Sequence, residues 1–484
     1  MSRRSSFTCS AATFALVVLC AIVLIGQGIA LADPLVVHEW GTFTSLQDER
    51  GSAIGGINAD DEPVPNFVHR LNYNLVLGPK PNVWFLAAKS IPQSHPDVTM
   101  RLETPVVYFH PGRGAKTPFP VNIEVAFRGG WLSEFYPKAE FEAPGIKGSS
   151  FGPLSAATVG RLAWNNLQVG TDAAGPETDS KVWLAPRAVD AANVTTADGE
   201  SERYLFYRGI GNVESPLRVS RDHSSRTPSL VVTAEFPIVP QTSESELVVP
   251  ALWLVDIRED KTVAFRALEG FRVPNDGLPR QMSSTRAGFD DTDYSADNID
   301  KLEATVHTAL VDDGLFADEA QGLLNTWRAS YFETPGLRLF YLLPQEWTNQ
   351  VLPMKLSVDA KLVRTMVGRV EIVTPEQRTL LREIAAGPAS KSDWMYQEDK
   401  KRAEPADYRA FQSLGRFRNA LVLDELKRRP TEPMQTFVNN YSLAGYVPRV
   451  TAVATETEAT TTAEATTATA ATTTTATAAT AGTP

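Results

Sequence analysis

Cysteine is almost absent from this sequence. Cys9 and Cys20 are its whole complement, and both sit in an N-terminal segment with the layout of an export signal. That segment carries Arg3 and Arg4, an apolar run from Ala11 to Ile25, and a break at Gly26, Gln27 and Gly28 ahead of Ala30, Leu31 and Ala32. A positive start, an apolar middle and small residues at minus three and minus one predict cleavage after Ala32, so residues 1–32 read as a signal peptide. If kept, the stretch from Ala11 to Ala32 is long enough to span a hydrocarbon core of about 30 Å as an anchor. With the segment removed no thiol remains, which excludes disulfides, zinc-thiolate sites and cysteine nucleophiles. Leu19 before Cys20 argues against lipidation, and Ser5 and Ser6 make the arginine pair a weak twin-arginine signal.

Positive charge is in deficit as well. Lys and Arg total 46 against 57 Asp and Glu, a formal charge of -11 that deepens when Arg3 and Arg4 leave. Such a chain lacks the long-range attraction that nucleic acid or an anionic membrane surface requires. The short basic runs Lys400 to Arg402 and Lys427 to Arg429 read as solvated helix ends. From Thr451 onward there is no aromatic residue and the composition falls to Thr and Ala with a few Glu. Nothing there offsets chain entropy, so residues 451–484 read as a disordered tail.

What is present is apolar material, 43% of the chain, enough for one or two sizeable cores. The clearest strand is Val121, Ile123, Val125 and Phe127 alternating with Asn122, Glu124, Ala126 and Arg128. Similar runs recur at Leu35 to Ser45, Val98 to His110, Leu162 to Val169, Arg203 to Tyr207, Ser229 to Phe236, Glu246 to Ile257 and Lys261 to Leu268. Polar loops at 139–157, 172–180 and 274–297 separate some of them, and the last is the best domain boundary. Beyond it Ile299, Leu302, Val306 and Leu310 share a helical face, Leu323, Leu324 and Trp327 suggest a second helix, and Arg338 to Leu343 reads as a buried strand. Thr374 and Pro375 begin another helix, and Tyr408, Phe411, Leu414, Phe417, Leu421 and Leu426 form a further apolar stripe. The expected fold class is α+β: a β-rich antiparallel sandwich or open barrel over 33–280, then a mixed α/β to helical part over 281–450.

Most catalytic motifs fail on context. GSSFG, with Ser150 at its centre, lacks the strand-turn-helix setting of a nucleophile elbow. HEWGT, from His38 to Thr42, has threonine where a zinc protease needs its second histidine, and it is patterned as a strand. RGIG at Arg208 to Gly211 lacks a third glycine and reads as a turn after a strand. The acids Asp290, Asp291, Asp293, Asp297 and Asp300 lack the spacing of a calcium loop and read as solvated loop plus helix start.

One constellation survives. Four of the six histidines fall between residues 38 and 110, among Glu39, Asp60, Asp61, Glu62 and Glu103. In a thiol-free chain, imidazole and carboxylate are the ligands left for a divalent metal, and a metal with an open position activates water. On that reading His38, Asp60 or Asp61, His69 and His110 hold the metal, and Glu39 or Glu103 is the general base. On the other, His38, Glu39 and Trp40 are a polar network that fixes the first strand. His38 and Glu39 point to opposite faces of a strand, so at most one of them reaches a shared site.

The runs VVHEWGTFTS (Val36 to Ser45), GGINADDEPVP (Gly55 to Pro65), LETPVVYFH (Leu102 to His110), YLFYRGIG (Tyr204 to Gly211) and GLRLFYLLP (Gly336 to Pro344) resemble those of a group of uncharacterised exported bacterial proteins. The resemblance covers most of the mature chain. It implies export and brings no activity, ligand or catalytic residue. Two functions therefore stand side by side: a non-catalytic binding or assembly module of the periplasm or cell envelope, and a secreted metal-assisted hydrolase. For the first, Trp40, Trp84, Trp131, Tyr136 and Trp164 offer a platform for a carbohydrate or a protein partner.

Overall fold

The computed structural model describes residues 33–59, 63–71, 87–88, 91–92, 94–147, 150–222, 228–235, 246–274, 278–387 and 410–441. The export segment, Asp60, Asp61, Glu62, Trp84 and the Thr/Ala tail lie outside them. Ten strands carry most of the structure: β1 (Leu35–Gln47), β2 (Met100–His110), β3 (Phe119–Arg128), β4 (Gly130–Tyr136), β5 (Val159–Thr171), β6 (Leu205–Gly211), β7 (Glu246–Ile257), β8 (Val263–Pro274), β9 (Gly336–Leu342) and β10 (Ala360–Ile372). They belong to one 15-stranded open sheet in the order β5-β4-β6-β2-β1-β10-β9-β7-β8, extended beyond β5 by two short strands. β3 leaves that path to pair with β5. The fold is α+β, rich in strand toward the N-terminus and in helix toward the C-terminus, and the sheet does not close into a barrel among the described residues.

Strand β1 lies in the middle of the sheet. On one side it pairs antiparallel with β2, and on the other it runs parallel to β10, from Leu35 opposite Ala360 to Gln47 opposite Ile372. A strand between two partners satisfies its backbone on both edges and buries both faces, and twelve of the thirteen residues of β1 are buried. The described residues fall in one compact unit.

Among the described residues the helices are α1 (Lys181–Arg187), α2 (Asn298–Asp312), α3 (Ala317–Trp327), α4 (Gln345–Val351), α5 (Pro375–Ala386), α6 (Arg418–Arg428) and α7 (Glu432–Tyr441). All but α4 cover one face of the sheet, and α4 lies on the other beside β3. Leu302, Val306 and Leu310 of α2 and Leu323, Leu324 and Trp327 of α3 are buried, as the apolar spacing predicts. Thr374 caps α5 by accepting a hydrogen bond from the Gln377 N–H, 3.2 Å away. Among the described residues, no helix is long and apolar enough to cross a membrane.

Three local expectations are corrected. RGIG is not a turn: Arg208 to Gly211 lie inside β6, buried between β2 and β4. The polar segment 274–297 is not all loop, because Arg280–Arg286 pairs with Ser229–Ala234 in a three-stranded sheet completed by Leu217–Asp222. The apolar stripe, of which Tyr408 lies outside the described residues, is not one helix from Phe411 to Leu426. Gly415 breaks it with a φ of 94°, a left-handed conformation that a side chain disfavours, and α6 starts afresh at Arg418.

The phase of β2 changes along its length, and this decides which side chains meet. Leu102 and Val107 both face the sheet side away from the main helix layer, which strict alternation forbids. The register slips between Trp40 and Thr42 of β1, and Thr104 has a φ of 47°. One extra residue in β2 is a β-bulge that reverses the alternation. Gly41 is required opposite it: a Cβ there would lie 2.9 Å from Pro105 Cα.

Candidate functional site

The bulge puts Arg101, Glu103, Val106, Tyr108 and His110 of β2 on the helix-covered face, together with His38, Trp40, Thr42 and Thr44 of β1. Two buried polar clusters and one cavity result.

The first cluster joins His38, His110 and Glu319. Glu319 lies in the first turn of α3 and is fully buried. One of its oxygens is 2.6 Å from His38 Nδ1 and the other 3.0 Å from His110 Nε2. The Phe316 N–H donates to the same carboxylate at 2.8 Å, and the Phe316 ring packs against both imidazoles with centroids 4.6 and 4.8 Å away. Burial works to raise the Glu319 pKa, but the hydrogen bonds from His110 and His38 prevail and hold the carboxyl below its ordinary value. Glu319 escapes a sequence reading because an acid in the first turn of a helix looks like a helix-dipole complement.

The second cluster centres on Glu103. Arg101 Nε and an Arg416 amino nitrogen each lie 2.8 Å from Oε1, while Thr44 Oγ1 at 2.8 Å and the Tyr331 hydroxyl at 2.6 Å donate to Oε2. Arg369 stacks over the Tyr331 ring at 4.2 Å and pairs with Glu371, which also faces Arg338 at 3.4 Å. Burial works against the charge of Glu371, and Arg338 and Arg369 hold its carboxyl below the ordinary range.

The other residues of the N-terminal constellation lie apart. Glu39 projects to the opposite face, where it accepts hydrogen bonds from the Tyr207 hydroxyl and, at 2.5 Å, from Arg364 Nε. His69 Nε2 pairs with Glu200 at 2.8 Å in a half-buried position, its ring near those of Phe135 and Tyr136. The structure thus brings His38 and His110 together, with Glu319 as their common partner, and separates them from Glu39 and His69. Of the aromatics read as a binding platform, Trp40, Trp131, Tyr136 and Trp164 are core residues, each at most 3% exposed, and present no surface.

A cavity of about 510 Å³ lies between the sheet and the helices. Its floor is Thr104 and Val106 of β2 with Phe206 and Arg208 of β6, and its apolar walls include Trp183 of α1 and Trp327 of α3. Hydrogen bonds pin the α1 wall: Tyr108 donates to Pro186 O at 2.8 Å and Tyr204 to Trp183 O at 2.9 Å. Burial, with the carboxylates nearby, pushes both phenols well above their ordinary range, so they stay donors across neutral pH. Glu202 ties down the same wall by accepting from Trp183 Nε1 at 2.8 Å and from two nitrogens of Arg187 at 2.6 and 3.0 Å. Arg416 and Arg418 stand at the polar end of the lining.

No protein-family model matches the chain, and no curated protein matches it. Among solved structures, it was superposed on the zebrafish (Danio rerio) Fcho1 mu-homology domain with bound Eps15 peptide at 7% identity and a TM-score of 0.24, over 71% of this chain and 96% of that one. The yeast delta-COP-I mu-homology domain complexed with the Dsl1 WxWxV peptide gives 10% identity and a TM-score of 0.24, over 71% of this chain and 97% of that one. Superpositions at these scores do not define a shared fold.

Proposed function

We propose that the protein is a non-catalytic binding module of the bacterial periplasm or cell envelope, and that the cavity between sheet and helices receives an apolar group of its partner. The observation that carries this reading is the cavity itself: about 510 Å³, walled mainly by apolar and aromatic side chains and floored by rigid strands. Large, preformed, mostly apolar concavities with a few polar groups at one end are the usual form of ligand sites. Export rests on the layout of residues 1–32, with Asp33 as the first residue of the mature protein.

The non-catalytic reading rests on what surrounds the carboxylates. Glu39 is engaged by Arg364 and Tyr207, and Glu103 by Arg101, Arg416, Thr44 and Tyr331; neither lines the cavity. A general base must reach the proton of a bound water or substrate within hydrogen-bond distance. Here both groups are turned into the protein and hold strands and helices together.

The test uses Ala329, an exposed residue at the rim of the cavity. The protein is titrated with the apolar fluorophore 1-anilinonaphthalene-8-sulfonate, and Ala329→Trp is compared with the parent at equal thermal stability. One saturable site per chain, weakened at least about tenfold by the substitution, is the expected result. Equal binding by both proteins overturns the assignment of the cavity.

A further inference from the structure

We infer that His38, His110 and Glu319 form a binding site for one divalent transition cation of the zinc class. The site is separate from the cavity, so its test stands independently of the binding reading above.

Two imidazoles and one carboxylate are a donor set that zinc accepts, with a fourth position left for water. The three ligand atoms, one from each residue, lie within 4.8 Å of one another, and the two oxygens of Glu319 already reach one histidine each, His38 at 2.6 Å and His110 at 3.0 Å. Bonds of about 2.0–2.2 Å to a tetrahedral ion place ligand atoms roughly 3.4 Å apart. Small rotations of the three side chains bring their ligand atoms to that spacing. Among the described residues, this is the one group of three or more such side chains close enough to hold an ion.

The supports are those of a built site. His38 and His110 stand on adjacent strands, His38 opposite Tyr108 and His110 opposite Val36, so the sheet fixes their spacing. Glu319 arrives from α3, and its orientation is set by the Phe316 N–H at 2.8 Å, an outer hydrogen bond of the kind that positions metal ligands. The Phe316 ring walls off the apolar side, while His110, 13% exposed, opens the route by which an ion and its water enter. Binding exchanges two imidazole N–H···carboxylate bonds for three ligand–metal bonds. Each ring gives the proton on the nitrogen that faces Glu319 to its far nitrogen or to solvent, so that this nitrogen offers the ion a lone pair.

Cobalt(II) is the probe, because its visible absorption reports coordination number. The protein, purified and stripped with a chelator, is titrated with Co²⁺ and back-titrated with Zn²⁺. We expect one ion per chain, a spectrum of four- or five-coordinate cobalt, displacement by Zn²⁺, and affinity lowered by more than about 100-fold in His110→Gln and Glu319→Gln. His69→Gln is expected to bind as the parent does. No uptake by the parent, or undiminished affinity in His110→Gln, overturns the site. Should a substituted protein fail to fold, side-chain ¹⁵N spectra of the parent decide: Zn²⁺ is expected to shift two of the six histidines, His38 and His110. Shifts at other histidines, or at none, refute the assignment.

Discussion

Glu103 in β2 and Glu319 in α3 meet the same face of the β1–β2 pair, both are fully buried, and each is the hub of a polar cluster, yet their partners differ in kind. Around Glu103 the partners are arginines, which cannot give up their charge inside a protein. Around Glu319 they are histidines, which carry charge or not according to surroundings. The first cluster is therefore fixed: its carboxylate is required by the cations that surround it. The second is adjustable, because an imidazole, unlike a guanidinium, can give up a proton. A buried charge cluster is a structural clamp when its cations are permanent and a candidate ligand site when they are not.

The largest effect is expected from Glu103→Gln, which replaces the carboxylate that Arg101 and Arg416 face with a neutral amide. Breaking one side of a buried ion pair costs about 3–5 kcal/mol, measurable by denaturant unfolding. Glu319→Gln removes the carboxylate that both imidazoles face, and a loss of about 1–3 kcal/mol is expected. Equal losses in the two variants would break the distinction between the clusters.

Gly41→Ala tests the joint between them. Its Cβ would press on Pro105 at the bulge, and overpacking of this kind costs about 1–3 kcal/mol. Because the bulge sets the phase of Glu103, chemical shifts of the Thr44 and Tyr331 region are expected to move more than those of His38. Acid sharpens the comparison further. The Glu319 carboxyl is held below its ordinary value, so its contribution is complete above that value and is lost as pH falls through the folded one. The stability that the Glu319 charge gives the parent over Glu319→Gln is thus expected to shrink in acid below about pH 4.3. The smallest effect is expected from Thr44→Val, which removes one neutral donor from Glu103 and costs about 1 kcal/mol.

Much of the fold was legible because alternation and helical spacing are local. Val121 to Phe127 and the stripe of α2 lie where their periodicity puts them, and β7 spans Glu246–Ile257 as read. The pairing of β1 with β10, more than three hundred residues away, has no local signal, and nothing in either strand names its partner. The site was half legible. His38 and His110 announced themselves by residue type, and the separation of His38 from Glu39 followed from alternation. Strict alternation also puts Glu103 and His110 on opposite faces; the bulge at Thr104 reverses that, and a single threonine gives no warning of it. The arginines of β9 and β10 were hidden inside apolar runs, where the rest of the segment already accounted for burial.

The claim on which the account turns is that the cavity between sheet and helices is where a partner docks. Native mass spectrometry of the protein recovered from the envelope of an exporting bacterium tests it most directly, with Ala329→Trp beside the parent. The parent is expected to start at Asp33 and to carry a bound apolar species that the variant lacks; the same bound species on both proteins, at equal occupancy, would rule out docking in the cavity.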